Sequence, residues 1–342
     1  MQTYPFTLTR RTLIKTSVPA LATIGLAPTL LYAANPQHHQ RLELIDQLVQ
    51  QTGLARQMIE PIIMQAQFEP SIIKRIKTPY ESRSYAEYRP LFVHSRLAKK
   101  GTAYLHQHAV IFADAEKKYG VQKEIIAAVL GMETRYGVNR GNDLVVNSLF
   151  TLATGYPRRA QFFRKELGEL LLLCQEEGLQ PLAFRGSYAG AFGTTQFIPS
   201  SYRAYAVDSD GDGKRNVCTS PADIIDSVAN YFQRHGWQHT HPLARWLSSS
   251  EAANIHALHL KQGFKHWHHL LDMRSSLPPL DDRWHDNNQV TLIEMTSLQG
   301  KQMALVDYNF YVITRWNRSY NYAMAVTELA ALMGCEACQT HV

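Results

Sequence analysis

One glutamate stands in a stretch suited to proton transfer. Between Val121 and Gly137, residues Ile126, Leu130 and Glu133 fall at i, i+4 and i+7 and share one helical face. The rest of that face is apolar, and a carboxylate there is costly unless something uses it. Burial raises a carboxyl's pKa, and a carboxyl kept protonated near neutral pH is what a general acid needs. The plain alternative is a capped or salt-bridged core glutamate. Gly131 and Gly137 flank Glu133, and small residues beside a carboxyl would let a ligand come close, which tilts the reading towards catalysis.

A second set of carboxylates suggests a metal. Asp208-Ser209-Asp210-Gly211-Asp212-Gly213-Lys214 opens like an EF-hand calcium loop, with oxygen ligands at positions 1, 3 and 5, Gly at 6 and a backbone carbonyl from Lys214 at 7. Position 12 is Thr219 instead of the usual glutamate, and the first later carboxylate is Asp223. Three acids spaced two apart repel one another unless a cation sits among them; an Asx-rich turn is the structural alternative. Between these two sites lies Phe184 to Phe197, rich in Gly, Ser, Thr and aromatics, within a run from Gly178 to Val207 that holds no acid at all. Such a stretch reads as a turn-rich or short-strand floor, where backbone approaches a ligand closely.

The elements that must hold these groups are mostly helical. Apolar residues recur at helical spacing from about Gln40 to His108, with a break at Thr78-Pro79-Tyr80 and a polar-aromatic link over Tyr85–Pro90. A helix over 95–118 is expected to end at Gly120, and another spans Phe162 to Glu177. Val290–Met295 and Met303–Asp307 read as strands joined at Gly300, after which Phe310–Ala331 returns to helix.

The first 34 residues look like an export leader: Arg10, Arg11 and Lys15, no acids, then an apolar run from Ser17 to Ala34, with cleavage expected after Ala33 or Ala34. Thr9–Lys15 is similar to a twin-arginine signal, and a general secretory leader is the alternative. The run is too short and too interrupted for a retained membrane helix. No cysteine near the cut supports a lipid anchor. Of 35 basic residues three belong to this leader, so the remainder carries 32 against 29 acids, net +3. That excess suits an anionic polymer and is no nucleic-acid signature. Cys174, Cys218, Cys335 and Cys338 would meet an oxidising compartment; Cys335 and Cys338 read as a local disulfide or idle thiols, and Cys174 as buried filler.

Several stretches occur together in one order: Gly131–Gly137, Tyr156–Ala160, Gly186–Ala191, Gln196–Tyr202, the calcium-like loop and Arg315–Val326. As a set, over roughly residues 40 to 330, the chain resembles the lytic murein transglycosylase B family. The resemblance implies a mainly α, α+β fold: a lysozyme-like core with an added helical domain and a small β insert. It divides the chain into a signal peptide (1–34), an N-terminal helical domain (35–115, with 323–342 packing back on it), a catalytic core (116–247, completed by 306–322) and a β-containing insert (248–305). It implies a lyase that cuts the β-1,4 bond between N-acetylmuramic acid and N-acetylglucosamine without water, leaving a 1,6-anhydro end. Glu133 becomes the single catalytic acid/base; Ser187, Gln196, Tyr156, Asn317 and Tyr322 line the sugar cleft; Asp208, Asp210, Asp212, Lys214 and Asp223 hold structural calcium, with no organic cofactor. The expected partner is peptidoglycan, with no nucleic acid; complexes with other cell-wall enzymes stay open, and the periplasmic protein is expected to be a monomer. One departure is Trp316, where the family tends to have Tyr. The competing readings are a water-using muramidase with Asp143 as second carboxylate, and a non-catalytic peptidoglycan-binding module.

Overall fold

The computed structural model describes residues 36–78, 83–277 and 280–340, so the leader, Pro79 and Tyr80 lie outside the described residues. The chain runs through α1 (Pro36–Thr52), α2 (Arg56–Gln65), α3 (Pro70–Ile76), α4 (Tyr85–Phe92), α5 (Ser95–Gln107), α6 (Ala109–Tyr119) and α7 (Lys123–Thr134). Then come β1 (Asp143–Leu144), α8 (Val145–Gly155), α9 (Ala160–Glu176), β2 (Arg185–Gly186), α10 (Pro199–Tyr205) and α11 (Pro221–Arg234). The last third holds β3 (Ala244–Trp246), α12 (Ser249–His256), β4 (His268–His269), β5 (Gln289–Ser297), β6 (Gly300–Asp307), α13 (Tyr308–Trp316) and α14 (Tyr320–Leu332). The fold is the mainly helical α+β type expected. No helix among the described residues is long and apolar enough to cross a membrane.

The helix that carries Glu133 is the hub. Every residue of α7 from Ile125 to Met132 is buried, and a helix apolar all round belongs inside a protein. It packs against α5, α6, α11 and α14. Gly120 ends α6 in the left-handed conformation, as expected of a glycine cap.

Three expectations about elements change. The Tyr85–Pro90 link is helix α4: Ser84 and Glu87 form a capping box, and Tyr85 and Tyr88 are buried, which outweighs Pro90 near the far end. The helix over 95–118 is two helices that meet at His108. The C-terminal helix also divides, with Asn317 extended and Ser319 capping α14 through its side chain.

The strands form a four-stranded antiparallel sheet ordered β3-β6-β5-β4, in which β5 and β6 are a hairpin pairing Ser297 with Gly300. The sheet reaches beyond 248–305, taking in Ala244–Trp246, Val306 and Asp307. Its own small core includes Ile255, Leu270, Trp284, Leu292 and Leu305. Cys335 and Cys338 are a disulfide, with Cα atoms 5.3 Å apart. Cys174 is free and buried, and burial pushes its thiol up to about 12.

Candidate active site

Glu133 is the next-to-last residue of α7 and is half-buried. Its Oε1 accepts two hydrogen bonds from neutral donors, the Tyr322 hydroxyl at 2.7 Å and the Trp316 indole Nε1 at 2.9 Å. Both donors depend on the break between α13 and α14. Trp316 ends α13, and Tyr322 lies in the first turn of α14; the intervening Asn317–Ser319 turn, with Ser319 N–H on the Asn317 carbonyl at 2.7 Å, brings both to one oxygen. Trp316 is itself wedged among Phe197, Tyr231 and Phe232, with ring centroids at 5.1, 4.7 and 5.6 Å.

The backbone beyond Glu133 is strained. Arg135, Tyr136 and Gly137 all have positive φ, at 52°, 62° and 84°. For the two non-glycine residues this costs about 1–2 kcal/mol each. Tyr136 supplies the compensation, its ring lying where a Cβ on Gly131 would be, with the hydroxyl 2.5 Å from that position. Gly131 therefore serves packing, contrary to the expectation that it opens room for a ligand. At Gly137 an added Cβ would meet Arg140 at 2.9 Å, so its role too is backbone conformation and close packing.

The floor is tied directly to this helix end. Thr134 Oγ1 donates to the Thr194 carbonyl at 3.0 Å, and Arg140 Nε donates to Thr194 Oγ1 at 3.1 Å. The acid-free stretch folds back through β1–β2 pairing and single bridges Gly186–Phe192 and Phe192–Phe197. Ser187 holds a tight turn, its Oγ accepting from the Ala191 amide at 3.1 Å. Gln196 has φ 52°, and its side-chain amide donates to the carbonyls of Arg140 and Gly193, both at 3.0 Å. Strained backbone thus occurs both beside Glu133 and at Gln196, in two of the stretches with chemical character. Tyr156 follows α8 with its ring 6.5 Å from that of Phe163. Asp143, the alternative second carboxylate, is engaged elsewhere: Arg75 grips both its oxygens, at 2.6 and 2.9 Å.

In the calcium-like loop, carboxylate oxygens of Asp208, Asp210 and Asp212 all lie within 4.8 Å of one another. That group does not take in Asp223, which is fully buried and anchors the loop from behind. Its Oδ1 accepts from the Ser209 amide at 2.7 Å and its Oδ2 from the Asn216 amide at 2.7 Å. Burial pushes its carboxyl up, while those amide bonds pull the other way. The Lys214 amide donates to Asp212 at 2.9 Å.

Sequence reasoning missed two contributors. Trp316 stood out only as a departure from a family preference, although an indole beside an acid can donate a hydrogen bond. Tyr136 gave no signal beyond its place after the acid.

A helical core that presents a half-buried glutamate between a tyrosine and a tryptophan, beside a glycine-rich floor without acids, defines an enzyme that cleaves glycan chains. The chain belongs to the transglycosylase SLT-domain family, whose profile matches residues 37–331. Over 308 residues it is 35% identical to the membrane-bound lytic murein transglycosylase B of Escherichia coli K12, covering 87% of this chain and 82% of that protein. It is also similar to the Escherichia coli lytic transglycosylase Slt35 solved in complex with calcium (34% identity, TM-score 0.76, 90% of this chain and 96% of that one). SltB3 of Pseudomonas aeruginosa, solved in complex with NAG-anhNAM-pentapeptide, is 29% identical with a TM-score of 0.76, over 87% of this chain and 80% of that one. The protein is thus a lytic transglycosylase that cleaves peptidoglycan, built on a lysozyme-like fold.

Proposed function

We propose that Glu133 alone acts first as acid and then as base, and that each cut between N-acetylmuramic acid and N-acetylglucosamine leaves a 1,6-anhydro-muramoyl end. The observation that carries this is the pair of neutral donors on Glu133 Oε1. With two donors on it Oε1 is the accepting oxygen, so the mobile proton rides on Oε2. That proton passes to the glycosidic oxygen as the C1–O bond breaks, and the substrate's acetamido group steadies the positive centre. The carboxylate then takes the proton of the muramoyl C6 hydroxyl, whose oxygen closes on C1. No water is consumed, and the intramolecular attack benefits from proximity. Ser187, Gln196, Tyr156 and Asn317 position the sugars, while Tyr322 and Trp316 orient the acid. The Arg75–Asp143 pair supports the single-carboxyl reading over a muramidase. Mass spectrometry of muropeptides released from purified sacculi tests it: every new muramoyl end should lack one water and resist borohydride. Reducing muramic acid ends would overturn it.

A calcium ion fits the loop chemically, since three carboxylates converge and a hard cation prefers oxygen ligands. We assign Asp208, Asp210, Asp212 and the Lys214 carbonyl to it, with Asp223 shaping the loop. The ion would stabilise the fold by about 2.7 kcal/mol at a hundredfold excess over its dissociation constant. Added calcium should raise the melting temperature and a chelator lower it; Asp212→Ala should abolish the shift, and a midpoint indifferent to calcium would refute the assignment.

We further propose that the leader delivers the enzyme to the periplasm through twin-arginine transport. Changing Arg10 and Arg11 to lysines should strand the precursor in the cytoplasm, and normal export of that variant would reject the route. The division into a helical domain, a catalytic core and a β insert is supported by the separate small core beneath the sheet. Limited proteolysis should cut first at the flanks of that insert; first cuts inside α7 or α14 would argue against it.

A further inference from the structure

A cavity of about 670 Å³ opens in the β unit, and none of the residues placed around Glu133 lines it. Its wall carries the hydroxyls of Ser248, Ser250 and Ser276, the amides of Asn254 and Gln302, and one pair of opposite charges, the guanidinium of Arg245 and the carboxylate of Glu251. Arg245 is the middle residue of β3, paired with Leu305 of β6 and only 7% exposed. One of its nitrogens, Nη2, donates to Glu251 Oε1 at 2.8 Å. The other two, Nε and Nη1, are buried without a hydrogen-bond partner. A buried guanidinium needs acceptors for its N–H groups, and unmet donors on a charged group are expensive. The first turn of α12 enters the same cavity through Ser250, bringing the positive end of a helix beside the arginine. A volume in the range of small-ligand sites, two unmet charged donors and a rim of hydroxyls and amides form a built site.

We propose that this cavity binds a short peptide through its free carboxylate. Arginine is the side chain that best recognises a carboxylate, and serine hydroxyls with Asn and Gln amides complement the N–H and C=O groups of a peptide. The assignment rests on the peptidoglycan reading, because the peptide side chains of that polymer carry free carboxylates. The site would hold the peptide while the cleft handles the glycan.

The test uses a sugar-free probe, N-acetyl-D-alanyl-D-alanine, and its C-terminal amide, titrated calorimetrically into the full mature chain. The acid should bind at least about tenfold more tightly than the amide. Arg245→Met should weaken binding by about tenfold or more; because that arginine is buried, Asn254→Trp provides a second test, filling the cavity from an exposed position at an unchanged melting temperature. Glu133→Gln should leave peptide binding as it was. Absence of binding at millimolar probe, equal binding of acid and amide, or insensitivity to both cavity variants would overturn the proposal. A protein that binds the peptide but leaves only hydrolysed ends keeps this site and loses the single-carboxyl reading; one that makes anhydro ends but ignores the peptide does the reverse.

Discussion

Among the described residues, two glutamates each accept an indole N–H, and their other surroundings differ in charge. Glu133 takes its bond from Trp316 at 2.9 Å, and Glu328 takes one from Trp246 at 3.0 Å. Their second partners differ. Glu133 is held by the hydroxyl of Tyr322, Glu328 by the guanidinium of Arg89. Both interactions run through α14, on which Tyr322 and Glu328 lie six residues apart. The arginine brings a permanent charge and ties Glu328 into an ion pair, whereas hydroxyl and indole bring none and can orient a carboxyl in either protonation state. The surroundings of Glu328 are dry as well: the neighbouring Tyr85 is pushed well up, first by burial and next by that carboxylate. On the function proposed above, one environment makes a strut and the other a proton carrier.

Exchanging the two roles is the strongest way to break this comparison. Glu133→Gln should cost about 10⁴-fold in activity, the upper end for one acid/base group, at an unchanged melting temperature. Glu328→Gln should do the opposite, leaving turnover within a few-fold while lowering stability by about 1–3 kcal/mol through the lost charged hydrogen bond. Turnover on sacculi and thermal melts of both variants decide it, and a Glu133→Gln enzyme within tenfold of the parent would end the catalytic assignment.

Removing the neutral donors sharpens the same contrast. Tyr322→Phe and Trp316→Phe each delete one bond to Glu133 Oε1, and each should lower kcat by roughly 10- to 100-fold with little change in KM. Trp316→Tyr should restore part of the loss if a donor at that place is what matters. A KM effect alone would instead make these residues sugar contacts.

A third glutamate gives the smallest effect. Glu166 caps α10 by accepting from the Ser200 amide at 2.9 Å and hydroxyl at 2.8 Å, and burial holds its carboxyl above the ordinary value of 4.5 despite those bonds. Because the folded value is raised, its contribution to stability is full below 4.5 and is lost as pH climbs through the folded value. Glu166→Gln should therefore flatten the fall in stability from pH 4.5 towards neutrality by on the order of 1 kcal/mol. An unchanged slope of melting temperature against pH would show that the two Ser200 bonds cancel the burial.

What the chain determined by itself is local. The apolar periodicity around Glu133, the aspartates two apart at 208–212, the glycine cap at 120 and the two strands at Gly300 are signals carried by neighbouring residues, and each is legible without a fold. So was the order of motifs that points to the family. The tertiary structure decided the rest, because the deciding partner is far away in sequence. Trp316 and Tyr322 reach Glu133 across 183 and 189 residues, and only the break at Asn317 lets both face one oxygen. Arg75 takes Asp143 across 68 residues into an ion pair that no local pattern announces. Gly131 looked like space for a ligand until Tyr136 folded back over it. A carboxyl's neighbours set whether it is strut, anchor or acid, and packing chooses those neighbours.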